Sequence, residues 1–275
     1  MNAAQHKTRR KSVVKVIRNI DEYTNKLQSI LVSQSYVPSP TQPLYVTDQS
    51  SGKIREIYPP RFFPDQCVHW AVVMAIKPAL MRGMYDHSVG NIPGRGQSAG
   101  VKYVKKVLKD HKKRTKYCLY FDVHHFYQSI DQEKLISMLK NVINDKRMIS
   151  LISIIIRAYD DGLPLGNYTS QWLANFYLQG FDHYMKEKLK APFYCRYVDD
   201  CIVIGPNKRK LHRIQESALS YLKSIGLTMK SNFQVFPIDK RGIDFLGYRF
   251  YHDRTIMRRR NFKRFRRQAL RIHKK

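Results

Sequence analysis

Acidic residues are scarce in this 275-residue chain: 21 Asp plus Glu stand against 50 Lys plus Arg, a formal net charge of +29. That imbalance disfavours a basic partner and points to a polyanion, nucleic acid first. Cysteine is scarce as well. Cys67, Cys118, Cys195 and Cys201 have neither CxxC spacing nor a matching histidine pair, so a zinc module is not expected and the four read as small apolar side chains in a reducing compartment. No apolar run approaches the roughly 20 residues that cross a bilayer. The basic N-terminus "MNAAQHKTRRKSVVK" lacks the apolar core and cleavage site of a secretory signal. A cytoplasmic protein with no membrane partner is the expectation. No internal repeat of solenoid period is present.

What is present suffices for a substantial core. Hydrophobic residues make up 43% and aromatics 12%, which fits one large domain or two small ones and excludes a disordered basic tail. Residues 1–34 carry a helical pattern through Val13, Val14, Ile17, Ile20, Leu27, Ile30 and Leu31. A Pro- and Ser-rich stretch follows, then a helix expected from Phe63 to Met84. "HSVGNIPGRGQSAG" reads as a glycine-rich loop entering a basic amphipathic helix. "TKYCLYFDVHHFYQSID" reads as a buried strand ending at Asp122. Beyond it come a helical stretch from Gln132 to Tyr159, a Gly/Pro loop feeding a long helix, and the hairpin "FYCRYVDDCIVIG". A helix from Lys208 to Ile225 and two short strands complete the pattern, which is α+β. The last 20 or so residues are basic enough to be either a helix lying against phosphates or a flexible tail.

The hairpin poses a question, because two adjacent acids sit at its tip between apolar runs. Neighbouring strand residues point to opposite faces, so Asp199 and Asp200 share a direction only if the turn rotates one of them. Asp122 ends another strand 77 positions earlier. Carboxylates brought together from these two places repel unless cations offset them. Hard oxygen ligands suit Mg²⁺, and two such ions about 3.5–4 Å apart serve in-line phosphoryl displacement. The alternative at this stage is that the Asp-Asp pair caps a surface turn.

With these residues in place the chain resembles the reverse transcriptases, whose catalytic hairpin carries Tyr-x-Asp-Asp, here "YVDD". The likeness runs from "KIREIYPP" to "FLGYRF" with its blocks in the family's order, and is nearest in motifs to the enzymes of diversity-generating retroelements and antiviral defence. It implies a right-hand polymerase with an antiparallel palm sheet backed by helices, fingers, and a very short or partner-completed thumb. The implied division is an N-terminal extension and linker over 1–50, fingers over 51–115, a palm over 116–248 with fingers elements interleaved, and a basic thumb or tail over 249–275.

The resemblance also implies roles. Asp122, Asp199 and Asp200 become the catalytic carboxylates, with Asp122, Asp199 and the Val123 carbonyl on two Mg²⁺ ions that Mn²⁺ can replace. Tyr127, five residues after the first aspartate, takes the place of the steric gate against a 2′-hydroxyl. Arg55, beside Lys53, is placed at the incoming triphosphate. Ile92 occupies the position of the relatives' usual arginine, so Arg95 would have to make that phosphate contact. Lys230 corresponds to a proton donor for pyrophosphate. Template and primer fall to Gly166, Ser170, Gln171, Tyr197, Leu246, Gly247 and Tyr248. Leu165 stands where many relatives have Gln, a change associated with relaxed fidelity. The implied partners are an RNA template, a DNA or RNA primer, a cognate noncoding RNA, and an accessory protein or further copies of the chain. Template-independent or protein-primed synthesis, and a non-catalytic RNA-binding scaffold, stay open beside RNA-directed DNA synthesis. His124 and His125, beside the first aspartate, are expected to face solvent.

Overall fold

The computed structural model describes residues 2–5, 7–47 and 52–273. In chain order its elements begin with α1 (Lys11–Arg18), α2 (Ile20–Val32), β1 (Leu44–Thr47), β2 (Ile54–Ile57) and α3 (Cys67–Met81). Next come α4 (Gly96–Asp110), β3 (Tyr117–Asp122), α5 (Gln132–Lys140), α6 (Lys146–Arg157), α7 (Tyr168–Tyr177) and α8 (Gln179–His183). The C-terminal part holds β4 (Phe193–Tyr197), β5 (Asp200–Gly205), α9 (Lys208–Ser224), β6 (Gln234–Pro237), α10 (Ile238–Arg241), β7 (Ile243–Phe245), β8 (Tyr248–Phe250), β9 (Thr255–Met257) and α11 (Arg259–His273). Two units result.

The first unit joins residues up to 47 with 54–84 and 125–177. Its centre is α7, in which Trp172, Leu173, Ala174, Phe176 and Tyr177 are all buried. Val68, Val72, Ile76 and Leu80 of α3 are buried, as are Leu135 and Leu139 of α5 and Ile152 and Ile156 of α6. β1 and β2 form an antiparallel ribbon with Val46 opposite Arg55.

Three expectations are corrected in this unit. The first 34 residues form two helices, broken at Asn19 (φ −118°, ψ 46°), whose side-chain amide bonds the Lys15 carbonyl and so competes with helix continuation. The helix expected from Phe63 starts at Cys67, since Pro64 drives Phe63 into the extended region (φ −125°, ψ 134°). The stretch 132–159 is two helices, because Asp145 takes an extended conformation and accepts from the amides of Arg147 and Met148, starting a new helix as an N-cap.

The second unit holds residues 52–53, 85–124 and 178–273. Its main sheet is antiparallel with order β4-β5-β3-β6. Cys201, Ile202, Val203 and Ile204 of β5 are all buried, so both sheet faces are covered and the strand reads as a continuous apolar run rather than an alternation. One face packs Cys118, Ile202 and Ile204 with Val104, Val107 and Leu108 of α4. The other bears Phe121, edge-to-face on Phe181 of α8 at 6.3 Å between centroids. Strands β7, β8 and β9 form a second antiparallel sheet; the stretch expected to hold two short strands holds three, β6, β7 and β8, and β9 follows it. The basic end is the helix α11, with Phe262, Phe265 and Ile272 exposed. Among the described residues no helix is long and apolar enough to cross a membrane.

Candidate active site

The register of the main sheet answers the question of the paired aspartates. β3 and β5 place Asp122 directly opposite Asp200, and Tyr197 opposite Asp200 closes the hairpin over a two-residue turn, Val198–Asp199. Val198 sits at φ +58°, a left-handed conformation that a β-branched side chain resists. The turn therefore supplies the rotation that strand geometry forbids. Asp200 leads β5 on the Asp122 face, and Asp199 is swung from the turn toward the same place, its carbonyl accepting from the Val123 amide at 3.3 Å.

Strain of this kind persists only where the surroundings over-determine it, and two neighbours do so. Arg196, fully buried, donates from Nη1 to the Val198 carbonyl at 2.8 Å. Its Nε and Nη2 form a bidentate pair with Asp182 at 2.8 and 2.6 Å, and Asp182 also accepts from the Tyr194 hydroxyl at 2.7 Å. On the other side, a Cβ at Gly90 would lie 2.6 Å from the Val198 amide nitrogen. Gly90→Ala is thus expected to displace the turn and to lower any activity of this site by about tenfold or more, with a melting temperature changed by far less than the activity. Steady-state activity and thermal unfolding on the same preparation check this.

The electrostatics are those of a site short of positive charge. Burial first, then the charges of Asp200 and Asp122, push the Asp199 carboxyl up to about 7. Asp200 is raised by burial and by Asp122, against the hydrogen bond from Tyr120 and the charges of Lys230 and Arg258. The Tyr120 hydroxyl donates to Asp200 at 2.7 Å. Lys230 pairs with Asp122 Oδ2, while Asp122 Oδ1 is buried without a partner. Among the described residues no group of three His, Cys, Asp or Glu side chains forms a cage of its own for a metal. The donor set fits a hard divalent cation of the Mg²⁺ kind, which takes one or two carboxylates and completes its shell with water and substrate phosphate. The bare oxygen of Asp122 is the position such an ion would use.

The other expected residues fall as follows. Leu246 and Gly247, both at positive φ, make the β7–β8 turn, with Tyr248 opening β8. Gln97 holds the Leu246 carbonyl and the Arg258 amide bonds the Gly247 carbonyl at 3.0 Å. Arg95 departs from its expected part: its guanidinium is turned onto the Tyr85 carbonyl at 2.6 Å and that of Ser88 at 3.4 Å, because the polar backbone of this loop needs a donor. Arg55, Tyr127, Gly166, Ser170 and Gln171 belong to the first unit. There Arg55 is exposed on β2, the Tyr127 carbonyl accepts from Leu163 at 2.8 Å, and Ser170 is buried in α7. His124 and His125 are exposed, with His125 Nδ1 3.1 Å from the Gln128 side chain.

Sequence reasoning missed Tyr120, Asp182, Arg196 and Gly90. The first was findable, since residues two apart on a strand share a face. A charged Arg196 inside an apolar strand likewise demanded a buried acid.

Residues 49–250 match the family described as reverse transcriptase (RNA-dependent DNA polymerase). Protein YkfC of Escherichia coli K12 is 24% identical, covering 83% of this chain and 71% of that protein. The retron Ec73 reverse transcriptase of Escherichia coli is 30% identical over 58% of the chain and 54% of its own length. The group II intron-encoded protein LtrA of Lactococcus lactis is 26% identical over 70% of the chain and 32% of its own. The chain therefore spans about half or less of these last two relatives. In fold it is similar to apo telomerase from Candida tropicalis truncated from its C-terminal domain, with a TM-score of 0.60 at 14% identity, covering 86% of this chain and 60% of that one.

Proposed function

The chain belongs to the reverse transcriptase (RNA-dependent DNA polymerase) family, and from that membership we propose that it is an RNA-directed DNA polymerase of a bacterial retroelement or antiviral defence system. One observation carries the reading: the carboxyls of Asp122 and Asp199 act directly on each other at a strained, clamped turn, and Asp122 Oδ1 is buried and bare. In this reading a primer 3′-oxygen attacks the α-phosphorus of a deoxynucleoside triphosphate and pyrophosphate leaves.

Asp122 and Asp199 would hold the divalent cations, with the Val123 carbonyl assisting. A pair of Mg²⁺ ions, when bound, supplies charge stabilisation to the attacking and leaving oxygens. Asp200, fixed by Tyr120, supports the carboxylate pair. Arg55 takes the triphosphate, Tyr127 excludes a 2′-hydroxyl, and Lys230 faces the leaving pyrophosphate. Arg95 is left out, its guanidinium being occupied by the loop backbone. Gly166, Ser170, Gln171 and Tyr197 support template and nascent pair, and the 246–248 turn supports the primer.

The RNA template, its primer and a cognate noncoding RNA are favoured by the charge of +29 and by the seven Lys and Arg of α11 with no acid among them. Affinity for nucleic acid should fall steeply with salt. The fingers, palm and thumb division, a protein partner and a cytoplasmic location are parts of the same proposal. The test is incorporation of radiolabelled dTTP on poly(rA)/oligo(dT). Product in Mg²⁺, lost on chelation, is expected, whereas no product at any Mg²⁺ or Mn²⁺ concentration would overturn the reading in favour of a scaffold.

A further inference from the structure

Lys230 is bound twice to one residue. Its ammonium pairs with Asp122 Oδ2, and its backbone amide donates to the Asp122 carbonyl at 2.8 Å. The segment before it runs beside the chain leaving β3: the His124 amide bonds the Thr228 carbonyl at 2.8 Å, and Met229 bridges antiparallel to Val123. The Gln215 amide of α9 reaches the Met229 sulfur at 3.9 Å. The Lys230 backbone is thus fixed against Asp122, while four methylenes carry its ammonium. That side chain is 28% exposed and Asp122 16%, so the ammonium can leave toward solvent without crossing the core.

Charge balance gives this pairing its meaning. Asp122, Asp199 and Asp200 act on one another's charge here, the Lys230 ammonium pairs with Asp122 alone of the three, and Asp122 Oδ1 stays buried and bare. The nearby cation Arg258 is itself bonded to Asp244. We propose that Lys230 is a built-in placeholder for the divalent cation, neutralising Asp122 in the metal-free enzyme and giving way when metal and nucleotide enter. The inference rests on the reading of Asp122 and Asp199 as metal ligands. It adds a competition: metal entry must separate Lys230 from Asp122, and the released ammonium is then free for the phosphates of the arriving nucleotide.

A merely structural ion pair would have the opposite sign. If Lys230 only oriented Asp122, losing it would loosen the carboxylate and weaken metal binding. A placeholder opposes metal binding through like-charge repulsion at short range, so losing it tightens binding.

The experiment titrates Mn²⁺ into the full chain without nucleotide or nucleic acid, following free Mn²⁺ by electron paramagnetic resonance. Lys230→Met should bind Mn²⁺ about tenfold more tightly than the unmodified chain, and Lys230→Arg should stay near it, having kept the charge. Thermal unfolding gives a second readout. In EDTA the Lys230→Met protein should melt lower, and its gain on adding Mn²⁺ should be larger. Unchanged or weaker Mn²⁺ affinity in Lys230→Met overturns the placeholder, and Lys230→Gln supplies the same readout if the Met variant does not fold. Asp122→Asn and Asp199→Asn separate the two levels. If both bind Mn²⁺ like the unmodified chain, the carboxylates are not the metal site and the underlying reading fails. If both lose binding while Lys230→Met gains none, the placeholder alone fails.

Discussion

Replacing Asp199 by Asn is expected to abolish DNA synthesis while raising the melting temperature of the metal-free protein. The two effects have one cause. Asp199 is held where burial and the charges of Asp200 and Asp122 disfavour its ionised form, raising its carboxyl to about 7. The unfolded chain ionises it near the ordinary value of about 3.9. Because the folded value is the higher one, the folded state binds this proton more tightly, and the contribution to stability is fully present below about pH 4. It is lost as the pH rises through 7. At pH 8, in EDTA, the Asn variant escapes that loss and should be more stable by roughly 1–3 kcal/mol, with the gap closing as the pH is lowered toward 5. On the proposed reading of Asp199 as a cation ligand, activity should fall by on the order of 10³-fold or more, since a neutral amide binds a hard divalent cation far more weakly than a carboxylate does. Melting curves across pH, paired with incorporation assays, check both halves. A variant that is inactive and also less stable in EDTA would mean that Asp199 holds the fold rather than straining it.

A site that destabilises its own fold accounts for which features could be read from the sequence. The strand "YCLYFD" and the hairpin "FYCRYVDD" were legible because a long apolar run has to be buried, and an acid at its end must then sit at the rim of that core. Their register brings Asp122 opposite Asp200, whereas Asp199 needs the left-handed Val198 turn as well. The Gly90 contact was not legible, for it depends on a segment over 100 residues before Val198 passing the turn backbone at close range. Arg95 misled for a related reason. In sequence a basic residue among glycines suggests a phosphate, but the Tyr85 and Ser88 carbonyls are local acceptors that a pattern does not reveal. Helix boundaries failed where a single residue overrode the periodicity, as at Asn19, Pro64 and Asp145.

The second large effect lies beneath the turn. Asp182→Ala should cost about 3–5 kcal/mol, because it leaves the Arg196 guanidinium buried without its counter-charge and removes the acceptor of the Tyr194 hydroxyl. That is a large share of the roughly 5–15 kcal/mol that holds a domain together, so the variant should unfold early in a urea titration. The pair also positions the Val198–Asp199 turn, and a double replacement separates the two roles. Asp182→Leu with Arg196→Met removes both buried charges and keeps apolar volume in their place, so stability should return in good part, short of what the buried Tyr194 hydroxyl loses with its acceptor. Synthesis should not return, staying down by about tenfold, because the Val198 carbonyl has lost the donor that holds its residue at φ +58°. Recovery of activity along with stability would mean that the turn keeps its shape without Arg196. Failure of both to recover would mean that the charge of the pair, rather than its removal from water, sets the local packing.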